Sequence, residues 1–259
     1  MNVSIDHFES AKLQIERGRE HIKDAETRIK AFFSREPYAT VVDKDAQTGQ
    51  QSHKIRLTEK LPPNVRGIVK DASSNLRDAL DHAVYANAVA LIGGDPSDTG
   101  FPFANDDAGV TGELNGRRLR GNPVEIRPLL ASFKPYPAGN QLLCALNRVR
   151  NPNTHRVIVP IGAAAIGAEF KFGEEIRGPV QIGINHWDAS KNEVTYLIAG
   201  AGSKVQYEVK ASFNVVFGEV DLVAGQPVIA TLYAIASETE RVILAIEAET
   251  ARILRDRAP

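Results

Sequence analysis

Arg150-Asn151-Pro152-Asn153-Thr154-His155-Arg156 places a histidine between two arginines within one short turn. A histidine and an arginine held together suit metal-independent RNA cleavage. His155 would take the proton of a ribose 2′-hydroxyl, Arg150 would stabilise charge growing on the phosphate, and Asn151 would position them. The Arg-x4-His spacing recurs at Arg77-Asp78-Ala79-Leu80-Asp81-His82. A plainer scheme accounts for those charges too, because Arg77 with Asp81 and Asp78 with His82 are four apart and can pair along a helix. Likewise, Asn151 and Asn153 suit a helix cap and turn, with His155 bonding backbone groups at the start of a strand.

The third chemical feature is local charge. Between Glu113 and Arg156 the chain carries eight basic residues against two acidic ones. Seven of the eight are arginine: Arg117, Arg118, Arg120, Arg127, Arg148, Arg150 and Arg156. The planar guanidinium fork matches phosphate and carboxylate, so a convergent set would bind a phosphate-bearing ligand such as RNA. A scattered set would only be solvated or paired with nearby acidic faces. The whole chain gives no general attraction, since 31 Lys and Arg nearly balance 32 Asp and Glu.

Several site types are absent from the sequence. It has no HExxH, no Cys/His zinc spacing, no P-loop and no Gly-x-Ser-x-Gly elbow. Gly200-Ala201-Gly202 lies between two strand-like segments, where a dinucleotide site needs a helix N-terminus. Asp43, Asp45 and Gln47 suggest a calcium loop, but its glycine, Gly49, falls one place late and Lys54 stands where a bidentate Glu belongs. The expectation is therefore no metal and no cofactor. The one cysteine, Cys144, sits among leucines and reads as a buried, inert thiol. The first ten residues lack an apolar signal region and no apolar run approaches a membrane span, so a cytoplasmic protein without membrane contact is expected.

These residues must be positioned by long helices. Phe8, Ile15, Ile22 and Ile29 recur every seven residues, and Ala11, Gly18, Ala25 and Phe32 follow each by three. That stripe predicts a helix over 4–33 whose small positions admit a close partner. Pro62-Pro63 opens a second helix over 64–92, buried through Val65, Ile68/Val69, Ala72, Leu76, Leu80, Ala83 and Ala90 and ended by Gly93-Gly94. The Gly- and Asp-rich stretch 94–122 reads as a long surface excursion pinned by Phe101-Pro102-Phe103. Two short helices follow near 123–133 and 139–150. Gly225-Gln226-Pro227 introduces a last helix with Val228, Leu232, Ile235, Val242, Ile246 and Ile253 on one stripe.

Between them the texture is β-rich. Tyr38–Thr58 reads as a hairpin, and 157–223 as a meander of six short strands: 157–161, 169–172, 180–187, 193–199, 204–210 and 213–223. The fold class is therefore α+β: a bundle of long helices, the first and last antiparallel, with an inserted antiparallel β-sheet. Residues 1–36, 62–156 and 226–259 make the bundle, 37–61 the hairpin that joins the sheet, and 157–225 the sheet insertion.

The order Leu76-Arg77-x-x-Leu80-Asp81-His82-x-x-Tyr85, Phe101-Pro102-Phe103, Pro135-Tyr136 and Leu146-x4-Asn151-x3-His155-Arg156 resembles a family of uncharacterised bacterial proteins. The likeness runs along most of the chain, including the long last helix after a Gly-x-Pro turn. The family usually carries lysine just before its His-Arg pair, where this chain has Thr154. Arg150-Asn151-x3-His155 and Arg77-Asp78-x3-His82 are also similar to the motif of HEPN domains, helical modules often found in RNA-cleaving proteins. That similarity implies ribonuclease chemistry. It departs from the HEPN pattern after His155, where this sequence reads as strand rather than helix.

Two readings follow. In the first, the 150–156 turn and the 77–85 segment meet at one polar site that binds phosphate or RNA, with His155, Arg150 and Asn151 catalytic. His82, Arg77, Asp81, Arg156, Arg117, Arg118 and Arg120 would contact the ligand. In the second, the motifs are a structural network in a non-catalytic protein that binds a partner protein, or a small molecule beside Trp187. The long helices also offer a surface for a homodimer.

Overall fold

The computed structural model describes residues 6–150, 161–183, 188, 190–218 and 222–258. They fall into two compact units: 6–26, 66–150 and 222–258 in one, 27–65 with the described part of 161–218 in the other.

The first unit is helical. α1 (Glu9–Phe33) and α6 (Val228–Arg257) run antiparallel, because the residues that meet step along them in opposite directions. Lys12 pairs with Glu247 at 2.7 Å, Arg19 with Glu240 at 2.7 Å, and Tyr233 donates to Glu26 at 3.3 Å. Each step is seven residues on both helices, the period of the apolar stripes beneath. Those stripes are buried as expected, from Phe8 through Phe32 and from Val228 through Ile253. Gly18 shows why the small positions matter: a Cβ there would lie 2.8 Å from Cδ2 of Leu76 on α2 (Asn64–Ile92). α2 starts after the proline pair and stops at Gly93 and Gly94, both at positive φ (80° and 73°) where glycine is unstrained.

The stretch 94–122 is not the surface excursion its composition suggests. It contains α3 (Asp107–Asn115) and a 3-10 turn, Arg117–Leu119. Asp106 caps α3 by accepting the Gly109 N–H at 2.7 Å. Val110 and Leu114, one turn apart, are buried together with Phe101 and Leu119. Only two core positions mark this helix, too few to stand out by periodicity. α4 (Arg127–Ser132) and α5 (Gln141–Arg150) lie where short helices are expected. A buried polar link crosses the unit: Asn122 donates to the Val84 carbonyl at 2.8 Å, and Asn87 donates to Thr250 on α6 at 2.8 Å.

The second unit holds a four-stranded antiparallel sheet, ordered β1 (Tyr38–Lys44), β2 (Gln51–Leu57), β5 (Glu193–Ala199), β4 (Val180–Ile182), and a two-stranded ribbon of β3 (Ile161–Arg177) and β6 (Lys204–Phe217). The hairpin 38–58 forms as predicted. The six-strand meander does not. Its pieces fuse into long strands: β6 runs on through Ala211 and Ser212, and β3 keeps Gly162 and Gly167 paired with it, with register shifts at Ala165/Gly167 and Phe172/Ile176. The β4–β5 hairpin is nested inside the β3–β6 pair, so neighbours in sequence are not all neighbours in the sheet. Residues 157–160, 184–187 and 219–221, where strands were also expected, lie outside the described residues.

The ribbon packs on the sheet through a cluster of Ile55, Val194, Tyr196 and Leu197 with Tyr207 and Phe213. The end of α1 belongs here: Phe33 stacks on Phe213 at 5.5 Å. Inside the cluster, Tyr196 and Tyr207 hydroxyls are 2.7 Å apart, and the Tyr207 hydroxyl is 2.5 Å from His53 Nδ1. His53 is 7% exposed, and its Nε2 has no hydrogen-bond partner. Lys54 and Arg56 turn to the opposite face and pair with Glu193 at 3.0 and 2.6 Å, away from the imidazole. Burial pushes the His53 pKa below its ordinary value. The unfolded chain therefore takes up this proton first, at about pH 6.5. Stability from neutral His53 is complete above that pH and is lost as pH falls towards the lower folded value. Urea midpoints at pH 7.5, 6.5 and 5.5 should fall in that order, and His53→Leu should flatten the fall. An equal slope in the variant would disprove the assignment.

Candidate functional site

The polar residues of mid-α2 meet α5 and the 98–104 loop. Arg77 is 2% exposed, a setting that a guanidinium tolerates only when paired. Its Nη1 is 2.5 Å from Asp81 Oδ2, one turn on, in an ion contact whose angle is too poor for a hydrogen bond. Nε donates to Asn147 Oδ1 on α5 at 3.3 Å, and the guanidinium lies 4.6 Å from the centre of the Phe103 ring. The other oxygen of Asp81 accepts the Phe101 N–H at 2.8 Å. Ala104 N–H then bonds to the Pro135 carbonyl at 3.0 Å. Three of the sequence motifs, 76–85, 101–103 and 135–136, are thus tied into one network.

Arg150, at the end of α5, pairs with Asp78 at 3.0 Å, so the α5 terminus and the 77–85 segment do meet. His82 turns elsewhere. The next residue after Asp81 points about 100° round the helix, and His82 Nδ1 lies 2.9 Å from Ser10 Oγ on α1. Asn151, His155 and Arg156 lie outside the described residues, as does Trp187.

Beside this network is an open cavity of about 590 Å³, walled by Asp81, Asp98, Gly100, Gly112 and Glu113, with Arg117 and Arg118 at its rim. Arg117 pairs with Asp98 at 3.0 Å but its side chain is 82% exposed. Arg118 is 3.8 Å from Glu113, beyond hydrogen-bonding distance. Arg120 is exposed and follows Arg117 by three residues, so in 3-10 geometry the two lie on one side of the turn. A second cavity of about 320 Å³ adjoins the first across Glu113 and is lined by Phe103, Asn105, Asp106, Gly109 and Asn147.

Other arginines of the basic stretch have partners of their own. Arg127 bonds to Asn115 at 3.0 Å, and Arg150 is paired with Asp78. What sequence reasoning missed are Asp98, Glu113 and Asn147. Asn147 had a signal: it lies three residues before Arg150 on the same helix face. Cys144 is buried, and burial pushes its thiol up to about 11, which removes it as a nucleophile near neutral pH. Among the described residues, no group of three or more His, Cys, Asp or Glu is disposed to hold a metal, and no helix is long and apolar enough to cross a membrane. No protein-family model, curated protein or solved structure matches the chain.

Proposed function

We propose that the protein binds a phosphate-bearing ligand, RNA foremost, in the groove beside α3. One observation carries the reading: a cavity of about 590 Å³ with two exposed arginines, Arg117 and Arg118, at its rim. Exposed ion pairs such as Arg117 with Asp98 are worth only about 0–1 kcal/mol, so a phosphate can replace the carboxylate at small cost. Arg120 extends the same rim. Arg77 acts from below, holding the loop that forms the wall, and Asp81 closes that wall. In the catalytic form of the reading the protein is a metal-independent, HEPN-like ribonuclease. Arg150 would then stabilise the phosphate, Asn151 position the substrate and His155 act as general base. The contact of Arg150 with Asp78 supports a common site for the two motifs.

The test is binding of single-stranded RNA followed by fluorescence anisotropy from roughly 50 to 200 mM salt. Affinity should fall steeply with salt. The triple variant Arg117→Gln, Arg118→Gln, Arg120→Gln should bind at least about tenfold more weakly, with a slope reduced by about 0.7 per lost phosphate contact and an unchanged melting temperature. Salt-independent affinity, or full affinity in the triple variant, would sink the reading. For the catalytic form, His155→Ala should abolish RNA cleavage without moving the melting temperature.

A second reading is favoured by the burial of Arg77 among Asp81, Asn147 and Phe103. Satisfied buried networks specify a unique packing without any chemistry. On that reading the motifs are architecture and the protein is a non-catalytic binder of a partner protein.

A further inference from the structure

We infer that the α3 groove accepts one nucleotide unit, its phosphate in the larger lobe against Arg117 and its base in the smaller lobe against Phe103. This rests on the phosphate reading above and adds the substrate class. Both lobes, about 590 and 320 Å³, lie within the range of small-molecule sites, roughly 300–1,000 Å³. They differ in lining: the larger sets the guanidiniums of Arg117 and Arg118 against the carboxylates of Asp81, Asp98 and Glu113, and only the smaller has an aromatic ring. That ring is Phe103, beside the amides of Asn105 and Asn147.

The orientation of Asn147 follows from its partner. Arg77 can only donate, so the oxygen of the Asn147 amide must face Nε of Arg77. The amide NH2 is then the group left to donate to an acceptor on a base edge. Asp106 offers the complement, because Oδ1 takes the Gly109 N–H and Oδ2 remains an acceptor for an amino group. Glu113 lines both lobes, where a sugar linking base and phosphate would lie. At 3.8 Å from Arg118, its carboxylate keeps acceptor capacity for sugar hydroxyls. Stacking on Phe103 is tolerant of base identity, since every base has a π-face.

The shared chemistry, a nucleotide, has two sources: a free nucleoside monophosphate or a residue within RNA. Calorimetric titration of the full chain should use inorganic phosphate, the four nucleosides, their 5′-monophosphates and a 5′-phosphorylated single-stranded RNA. At least one monophosphate should bind about tenfold or more tightly than either phosphate or its nucleoside, the scale of one base–aromatic stack. Phe103→Leu should lower that affinity to the level of phosphate alone. Because Phe103 also covers Arg77, Asn105→Trp provides a second variant: exposed and outside the Arg77 network, it fills the small lobe and should give the same loss at an unchanged melting temperature. RNA binding more tightly than the monophosphate, with the same sensitivity to Asn105→Trp, assigns the nucleotide to RNA. Equal affinities assign it to the free nucleotide. Phosphate and monophosphates binding equally, or RNA binding that ignores both variants, overturns the nucleotide inference and leaves the phosphate reading standing. If phosphate, monophosphates and RNA all fail to bind, both fall.

Discussion

Asp81→Asn should destabilise the helical unit by about 3–5 kcal/mol, the cost of leaving a buried charge without its counter-ion. The variant keeps an acceptor for the Phe101 N–H and is nearly isosteric, so what it removes is the negative charge beside Arg77. Arg77 is 2% exposed and cannot reach water without opening the contact between α2 and the Phe103 loop. The size of the loss thus measures the burial of the guanidinium rather than the value of a surface ion pair, which is about 0–1 kcal/mol. The double variant Arg77→Met, Asp81→Asn should recover part of it, because an apolar chain of similar length then replaces an orphaned charge. Urea denaturation of the four proteins in this cycle gives the coupling directly. If Asp81→Asn costs under about 1 kcal/mol, the pair is solvated and the network is not what holds the groove wall.

Gly121→Ala should cost about 3 kcal/mol, the upper end for overpacking. A Cβ at Gly121 would lie 2.0 Å from the Ser97 carbonyl oxygen and 3.2 Å from the Ser97 carbonyl carbon. Both atoms are backbone, so no side-chain rotation relieves the clash, and the 97–99 and 119–122 segments must part. That separation breaks the Gly121 N–H bond to the Asp98 carbonyl, 3.3 Å, and strains the buried Asn122 bond to Val84. It also moves Asp98 and Arg117 relative to each other, so affinity for the proposed phosphate ligand should fall with stability. Gly67→Ala is the matched control. Nothing lies within 4 Å of a Cβ there, and alanine inside α2 should stabilise by up to about 1 kcal/mol. Similar melting temperatures for the two variants would show that the 97–121 contact is loose.

The long elements were legible from the residues because their signals are local. The seven-residue repeat of Phe8, Ile15, Ile22 and Ile29 specifies both a helix and the face it buries, and the stripe from Val228 to Ile253 does the same. Two such stripes of similar length bury each other best side by side, which gives the antiparallel α1–α6 pair. Prolines 62 and 63 and Gly93-Gly94 bound α2 by backbone chemistry that needs no partner. The hairpin 38–57 is also a matter of neighbouring residues. Strand length in 161–217 is not, since a glycine reads as a break or as a bulge according to the strand opposite it. α3 was hidden for a similar reason: two apolar residues, Val110 and Leu114, become a core only when the bundle supplies the other wall.

The sequence alone determined that this chain is α+β, that long amphipathic helices frame it, and that Arg77, Asp81 and Arg150 belong to polar motifs. Only the tertiary structure decided what those motifs touch. Arg77 and Asp81 can pair within one helix turn whether they are buried or solvated. Their burial under Phe103, and the bond to Asn147 at the far end of a 70-residue separation, depend on how distant segments pack. Arg117 and Arg118 are likewise two charges in a basic stretch until Gly121 meets Ser97 and α3 sets a cavity beside them. Periodicity records which face of an element is apolar. The groups facing a charge are chosen by contacts between segments far apart in the chain, which no local pattern contains.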